Sequence, residues 1–210
     1  IGHIDDYSFF TLANLVLYES TFDEKYLIHS IEYMKQTIDH FFDQDKGGFY
    51  HYSKHSEQLI SKPKETYDGA IPSGNSVATY CLQRLSHLTA DSFLETVLNK
   101  QILFMSRQMD AYPYHSSFAL ISYLNDIFPS RELICVANSL EEVGDLKSYL
   151  AVRFHTNLSI IVITDENKEI ISEHIPYLKN YNMIHGKTTY YRCQNHNCSL
   201  PTNVLEEALK

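Results

Sequence analysis

The chain has 210 residues, of which 44% are hydrophobic, and its formal net charge is −9 at pH 7. This composition allows a substantial core, and the lack of a Lys/Arg cluster argues against nucleic acid and against an anionic membrane as partners. No apolar run in the sequence has the length of a membrane span. The sequence starts at Ile1 without an initiator Met or a signal-peptide pattern, so we expect that an N-terminal part has been removed.

Two helices are predicted at the start of the chain, over 7–20 and 24–43, because apolar residues recur there at helical spacing. In the first helix these residues are Phe9, Leu12, Ala13, Val16 and Leu17. Asp5 and Asp6 precede that helix, where carboxylates can cap N–H groups and favour the helix dipole. Only residues 22–23 separate the two helices, which predicts an antiparallel hairpin.

A long loop is predicted after the second helix. Gly47 and Gly48 break the helix, and we expect residues 49–52 to be extended and to pair with residues 58–60.

The end of this loop, residues 62–76, combines charges, turn residues and a helix start. Pro63 and Pro72 fix the backbone φ angle, and Ser73 and Asn75 are good N-caps for the helix that follows. Because loops on rigid scaffolds often carry function, the segment is a candidate functional site. The alternative is a structural turn that leads into a well-capped helix.

Three more helices are predicted over 75–89, 91–108 and 114–126. The repeated pattern of helix, turn and helix predicts that residues 1–128 form a region of αα-hairpins.

The pattern changes after Pro129. Residues 132–137 and 158–163 are continuous apolar runs, typical of strands buried on both faces. A helix predicted over 140–152 separates them, which indicates a βαβ unit with a parallel pair of strands. We expect 129–210 to form an α/β region packed on the hairpins, and its last part to contain a helix over 168–180, a strand over 189–191 and a short helix after Pro201.

Four cysteines are too few and too scattered for a disulfide scaffold, and the pattern fits a reducing cytoplasm. Cys81 and Cys135 lie in apolar segments and are predicted to be buried. Cys193 and Cys198 flank His196; a pair of structural thiols is the favoured interpretation, and a disulfide or redox pair is the alternative. A metal site would need two more ligands at suitable spacing, so we expect neither a metal nor a cofactor.

Several of these segments occur in the same order in one protein family. They are Ile4-Asp5-Asp6-Tyr7, Leu17-Tyr18-Glu19, the stretch from Asp43 to Gly48-Phe49-Tyr50, Lys62-Pro63-Lys64-Glu65 and the specific string Asp68-Gly69-Ala70-Ile71-Pro72-Ser73-Gly74-Asn75-Ser76. The chain resembles, over nearly its whole length, the YyaL-type family of thioredoxin-domain-containing proteins, whose animal members are called spermatogenesis-associated. Cys193 to Cys198 followed by Pro201 resembles the C-terminal end of that family. Lys62 departs from the Arg that is usual there, which keeps the charge but not the bidentate fork.

The resemblance implies a mainly α fold in which the αα-hairpins form part of an (α/α)6 toroid, with a small βαβ elaboration near the C-terminus. Such toroids occur in six-hairpin glycosidases and N-acylglucosamine 2-epimerases. The resemblance also implies that a thioredoxin-like domain and the first part of the toroid lie upstream of Ile1. The chemistry of the family itself is not well defined.

In a toroid, alternate helices line the inner wall, so the N-terminal ends of the first, third and fifth helices are expected to meet at one mouth. Asp6 and Asp68 are the predicted acid–base pair, since two carboxylates in different environments can divide those roles. The predicted substrate-binding residues are Asp5, Lys64, Glu65, Tyr67, Ser73, Asn75 and His115. The structural alternative makes Asp6 a helix cap and Lys64–Glu65 a salt-bridged loop.

Two functions follow as hypotheses. The first is a carbohydrate-active hydrolase or epimerase that acts on a sugar-like small molecule. The second is a non-catalytic scaffold, or a ligand- or client-binding module, that serves the upstream thioredoxin-like domain. An incomplete ring would expose the apolar sides of its end helices, so we also expect self-association.

Overall fold

The computed structural model describes residues 2–57, 60–128, 130–153, 157–194 and 197–209. Ile1, the predicted pairing partners Gln58 and Leu59, Pro129 and His196 lie outside the described residues. The chain divides into two compact units, one of Ile1–Tyr18 and Lys25–Leu124 and the other of Glu19–Glu24 and Asn125–Lys210. The second unit thus includes a short segment, 19–24, from the region that the sequence predicts as hairpins.

The five helices predicted for the first part of the chain are present. They are α1 (Ile4–Thr21), α2 (Glu24–Phe41), α3 (Gly74–Thr89), α4 (Ser92–Ala111) and α5 (Ala119–Ile127). The prediction of one continuous helix over 114–126 is wrong, because Pro113–Ser116 form a separate 3-10 turn and α5 begins only at Ala119. The predicted extended segment 49–52 is reduced to a single bridge, between Phe42 and Phe49.

Helix α1 buries a different face from the one that its apolar spacing indicates. The residues Ile4, Ser8, Thr11, Leu15 and Tyr18 are buried, whereas Val16 and Leu17 are 51% and 42% exposed. Burial of the small polar residues is possible because their hydroxyls bond to carbonyls of the same helix, as Thr11 Oγ1 does to Tyr7 O at 2.8 Å.

Helix α3 is buried along nearly its whole length. Ser73 is its N-cap and accepts a hydrogen bond from Ser76 N, while Ala90 ends the helix in the left-handed conformation. The buried Gln83 of α3 reaches another part of the unit, since its Nε2 donates to Ser122 O at 2.9 Å. This helix is therefore the centre of the first unit.

A small mixed sheet forms the core of the second unit. Strand β1 (Arg131–Val136) pairs in parallel with β2 (Leu158–Ile163), and α6 (Gly144–Ala151) connects them. The predicted βαβ unit is therefore confirmed. Strand β3 (Thr189–Gln194) lies antiparallel on the other side of β1 and pairs with β4 (Asn197–Cys198), so that the strand order is β2-β1-β3-β4.

The predicted helix over 168–180 is interrupted. Helix α7 covers only Lys168–His174, and Pro176–Asn180 form a 3-10 turn, because Pro176 lacks the N–H that a continuous α-helix requires. A short helix, α8 (Leu205–Ala208), follows Pro201 as predicted. In the described part of the chain, every helix is too short or too polar to cross a membrane.

The cysteine pair is a disulfide. The antiparallel register of β3 and β4 places Cys193 opposite Cys198, and the two sulfur atoms are bonded. The favoured interpretation of two structural thiols is therefore wrong, and the disulfide alternative is correct. Cys81 and Cys135 are buried thiols, as predicted, and burial raises the pKa of the Cys135 thiol to about 12.

Candidate functional site

Asn75 is the residue around which the long loop is organised. Its side chain accepts a hydrogen bond from Phe49 N at 2.8 Å and donates to Phe49 O at 2.9 Å and to Glu65 O at 2.8 Å. Gln101 of α4 completes the network, since its amide accepts from Gly48 N at 3.0 Å and donates to Thr79 Oγ1 at 2.9 Å. Asn75 is fully buried, so its hydrogen-bonding groups hold the loop together rather than face solvent.

Asp68 holds the end of the loop against the start of α5. Its Oδ1 accepts from Ser73 N at 2.8 Å and from Ser73 Oγ at 3.1 Å, and its Oδ2 accepts from Phe118 N at 2.8 Å. The backbone N–H of Asp68 also donates to His115 O. The side chain is nearly buried, and three framework donors occupy its two oxygens.

The start of α1 lies against the start of α3. A Cβ atom at Gly74 would collide with Asp5 Oδ1 and with the side chain of Ile4, so glycine is required for this close approach. The loop that ends at Asn75 thus folds against the N-terminal end of α1, as the sequence predicts, and the acidic residue in contact is Asp5.

Asp6 has the position of a helix cap. It lies in the first turn of α1, where its Oδ2 accepts from His3 N at 2.8 Å, the geometry of a capping box. The side chain of Asp6 is 68% exposed. The Asp6 carboxylate thus makes a capping hydrogen bond at the start of α1, which is the role that the structural alternative gives it.

Lys64 is in an ion pair that the sequence does not reveal. Its Nζ lies 2.7 Å from Asp43 Oδ2 and 2.6 Å from Gly47 O, and it sits over the rings of Tyr50 and Phe104. Glu65, the predicted salt-bridge partner, instead points to His51 at 3.9 Å. Asp43 belongs to a segment that carries the family resemblance, but its role becomes clear only from the three-dimensional contact.

The electrostatics of Asp43 follow from its partners. Burial by itself would raise the pKa of this carboxyl, but hydrogen bonds from Lys64, Tyr50 and two backbone N–H groups hold it well below its usual range. The same hydrogen bond to Asp43, together with burial, raises the pKa of Tyr50 to about 12. Asp43 and Lys64 are therefore a charged pair, and Tyr50 stays protonated beside it.

Tyr67 and His115 belong to an exposed cluster of rings. Tyr67 packs edge-on against His115 with centroids 5.0 Å apart, and Tyr112 and Tyr114 contact the same imidazole at 5.2 and 4.4 Å. The three tyrosines are each more than half exposed. We call Tyr67, Tyr112, Tyr114 and His115 the ring surface.

One described group of side chains has the composition of a metal site. Ligand atoms of Asp39, His40 and His55 all lie within 4.8 Å of one another. Lys54 Nζ lies 3.3 Å from Asp39 Oδ1, so a cation bound there would compete with an ammonium group for the same carboxylate.

The fold and this loop define a class: a mainly helical chain with two helical hairpins, a small mixed sheet and a long loop fixed by buried hydrogen bonds. No protein-family model matches the chain. It is 24% identical to spermatogenesis-associated protein 20 of Homo sapiens over 207 residues, which are 95% of this chain and 26% of that protein. It is 23% identical to the protein of the same name from Rattus norvegicus over 206 residues, which are also 95% of this chain and 26% of that protein.

A further relative is an uncharacterized protein of Caenorhabditis elegans, 25% identical over 205 residues, which are 97% of this chain and 27% of that protein. The named relatives support a relationship to the family of spermatogenesis-associated protein 20. The chain spans about a quarter of the length of these relatives.

Proposed function

We propose that this chain is a non-catalytic binding module, the αα-hairpin region of a longer protein that also carries a thioredoxin-like domain upstream. The observation that carries the proposal is the state of Asp68. General acid–base catalysis needs a carboxyl that can exchange a proton with a substrate, whereas both oxygens of Asp68 accept hydrogen bonds from Ser73 and Phe118. The capping bond of Asp6 supports the same conclusion.

The ring surface supports a binding role. Exposed aromatic faces stack on sugar rings and on apolar segments of proteins, so a sugar-like small molecule or a client segment is the proposed partner. Because the rings contact one another, the side chains of Tyr67, Tyr112 and Tyr114 would lose little conformational freedom on binding.

The proposed context is an (α/α)6 toroid whose remaining hairpins come from the longer protein. The hairpins α1–α2 and α3–α4 and the greater length of the relatives support it. In this arrangement the module would hold clients or ligands for the thioredoxin-like domain.

A carbohydrate hydrolase or epimerase that uses Asp6 and Asp68 is the second candidate. One observation favours it: the close packing of Gly74 against Asp5 brings the loop after Asp68 to the end of α1 that carries Asp6. In that case Lys64, Glu65, Tyr67, Ser73, Asn75 and His115 would line or support the substrate site.

The variant Asp68→Asn separates the two candidates. If Asp68 is structural, its replacement puts an amide NH2 against one of the framework donors and costs about 1–3 kcal/mol of unfolding free energy in urea. If Asp68 is also catalytic, the longer protein hydrolyses or epimerises a sugar substrate, and Asp68→Asn abolishes this turnover under conditions in which the variant is still folded. Sugar turnover that is lost in the folded variant would therefore overturn the binding-module proposal.

A further inference from the structure

A cleft of about 410 Å³ lies between the loop after α2 and the helix α4. This volume is within the range of about 300 to 1,000 Å³ that is usual for small-molecule sites. The cleft belongs to the first unit and shares no lining residue with the ring surface.

The lining of the cleft is cationic, although the chain as a whole has a net charge of −9. Lys46 and Lys64 contribute from the loop, and Lys100 and Arg107 from α4. Because Lys64 is paired with Asp43, the three other cations stand against the carboxylate of Asp45. Residues 100 and 107 are separated by seven positions, which places them on the same face of the helix. Cations concentrated in a concave site attract anions more strongly than the same charges on an open surface.

Two of the four cations are fixed in place. Lys64 Nζ is held by Asp43 Oδ2 and Gly47 O, and Lys100 Nζ donates to Gln44 O at 2.9 Å. The loop backbone also packs tightly on α4, since a Cβ at Gly47, where φ is +71°, would collide with Lys100 O. The walls of the cleft are therefore set before a ligand arrives, which lowers the cost of binding.

The other two cations remain available. Within the part of the chain that the structure describes, no hydrogen bond or ion pair occupies the ammonium of Lys46 or the guanidinium of Arg107. A guanidinium presents a planar fork that matches carboxylate and phosphate oxygens. Phe104 lies between Lys100 and Arg107 on α4 and contributes an apolar wall.

We propose that this cleft binds a small organic molecule through an oxyanion, either a phosphate or a carboxylate. Arg107 and Lys46 contact the oxyanion, Lys100 supplies positive potential, and Phe104 packs against the organic part. This site is additional to the ring surface and does not depend on whether Asp68 is structural or catalytic.

Isothermal titration calorimetry of the 210-residue chain at low ionic strength tests the proposal, with glucose 6-phosphate, glucuronate, inorganic phosphate and glucose as probes. We expect at least one of the two charged sugars to bind more tightly than glucose, which lacks the oxyanion. Glucose 6-phosphate in preference to glucuronate would identify phosphate as the recognised group, and the reverse would identify carboxylate. Binding should weaken as salt is raised, because charges at a surface cleft are screened.

The double variant Lys46→Gln/Arg107→Gln should weaken binding of the charged sugar at least tenfold. Its matched control is Lys62→Gln/Lys179→Gln, which also removes two positive charges, but at exposed positions away from this lining. This control should leave binding unchanged. No binding of either charged sugar, equal loss in both double variants, or binding of glucose as strong as that of the tighter charged sugar would each overturn the proposal. The Asp68→Asn test concerns a residue outside the lining of this cleft, so its result stays separate from this one.

Discussion

Asp43 and Lys64 form an ion pair whose two side chains are 8% and 13% exposed, and the pair closes the long loop onto the end of α2. Lys64 was predicted to bind a substrate hydroxyl or carboxylate, but in the structure its nearest carboxylate belongs to the protein. Asp43 accepts hydrogen bonds from Lys64 Nζ, from Tyr50 Oη and from two backbone N–H groups.

Removal of the charge of Lys64 should destabilise the chain strongly. The variant Lys64→Met leaves the carboxylate of Asp43 buried without its cation, and loss of one partner of a buried pair costs about 3–5 kcal/mol. Urea unfolding monitored by circular dichroism measures the effect. Lys35→Met is the control, because the side chains of Lys35 and its partner Asp91 are 49% and 28% exposed, and this more solvated pair should contribute about 1 kcal/mol or less. Equal effects of the two variants would contradict the prediction.

Stability should fall in acid through Asp43. The pKa of this carboxyl is lower in the folded chain than its usual value of 3.8, so its contribution is fully present above about pH 4 and is lost as the pH falls toward the folded value. We expect the urea midpoint to drop between pH 4 and pH 2. The variant Asp43→Asn, although less stable at pH 7, should lose less of its remaining stability over this interval. If the urea midpoints of both proteins fell equally between pH 4 and pH 2, Asp43 would be excluded as the cause of the acid destabilisation.

Asn75→Asp should disrupt the loop despite its similar size. The carboxylate cannot donate to Phe49 O and Glu65 O, and a buried acceptor without its donor costs about 1–3 kcal/mol. Limited proteolysis should then cut the segment 46–73 faster than in the unaltered chain. The control is Asn180→Asp, at an exposed position, and it should have the digestion pattern of the unaltered chain.

Titration of free thiol groups before and after reduction should detect the disulfide. Chemical titration of the denatured chain should find two thiols, those of Cys81 and Cys135, and four after reduction. Because the disulfide closes a very short loop, the chain-entropy estimate gives it only about 2 kcal/mol of stabilisation. Differential scanning fluorimetry with and without reductant should show a small shift, and four thiols before reduction would refute the pairing.

Self-association should depend on the exposed apolar side chains of α5. Leu124 and Ile127 are 53% and 72% exposed, and Phe128, just after the helix, is 60% exposed. Such surfaces drive association when nothing covers them. Light scattering should find oligomers of the unaltered chain and a shift toward monomer for Leu124→Glu/Ile127→Glu. The control Glu173→Gln, at an exposed position on α7, should leave the distribution unchanged, and a monomeric unaltered chain would refute the prediction.

The sequence predicts the elements better than it predicts their contacts. Helix and strand signals are local, so the hairpins, the parallel pair β1–β2 and the Ser73 cap could be read directly. The buried face of α1 could not be predicted in this way. The hydroxyls of Ser8 and Thr11 donate to carbonyls of the same helix, so these residues lie on the buried face, where apolar spacing predicts other residues.

The same limit applies to the candidate site. The partner of Lys64 lies 21 positions away and Phe118, the partner of Asp68 just before α5, lies 50 positions away, whereas the sequence pairs Lys64 with its neighbour Glu65. The catalytic and substrate-binding roles predicted for these residues remain predictions that the variants above would test.

The hydrogen bond from Phe118 N to Asp68 has a consequence for the order of folding. It closes a 50-residue segment that contains the whole of α3 and α4, and such a closure is entropically costly until the hairpin inside it has formed. The contact should therefore be absent from the transition state. In stopped-flow experiments, Asp68→Asn should leave the refolding rate nearly unchanged and accelerate unfolding. The Asp68 carboxylate would then determine how long the chain stays folded rather than how fast it folds.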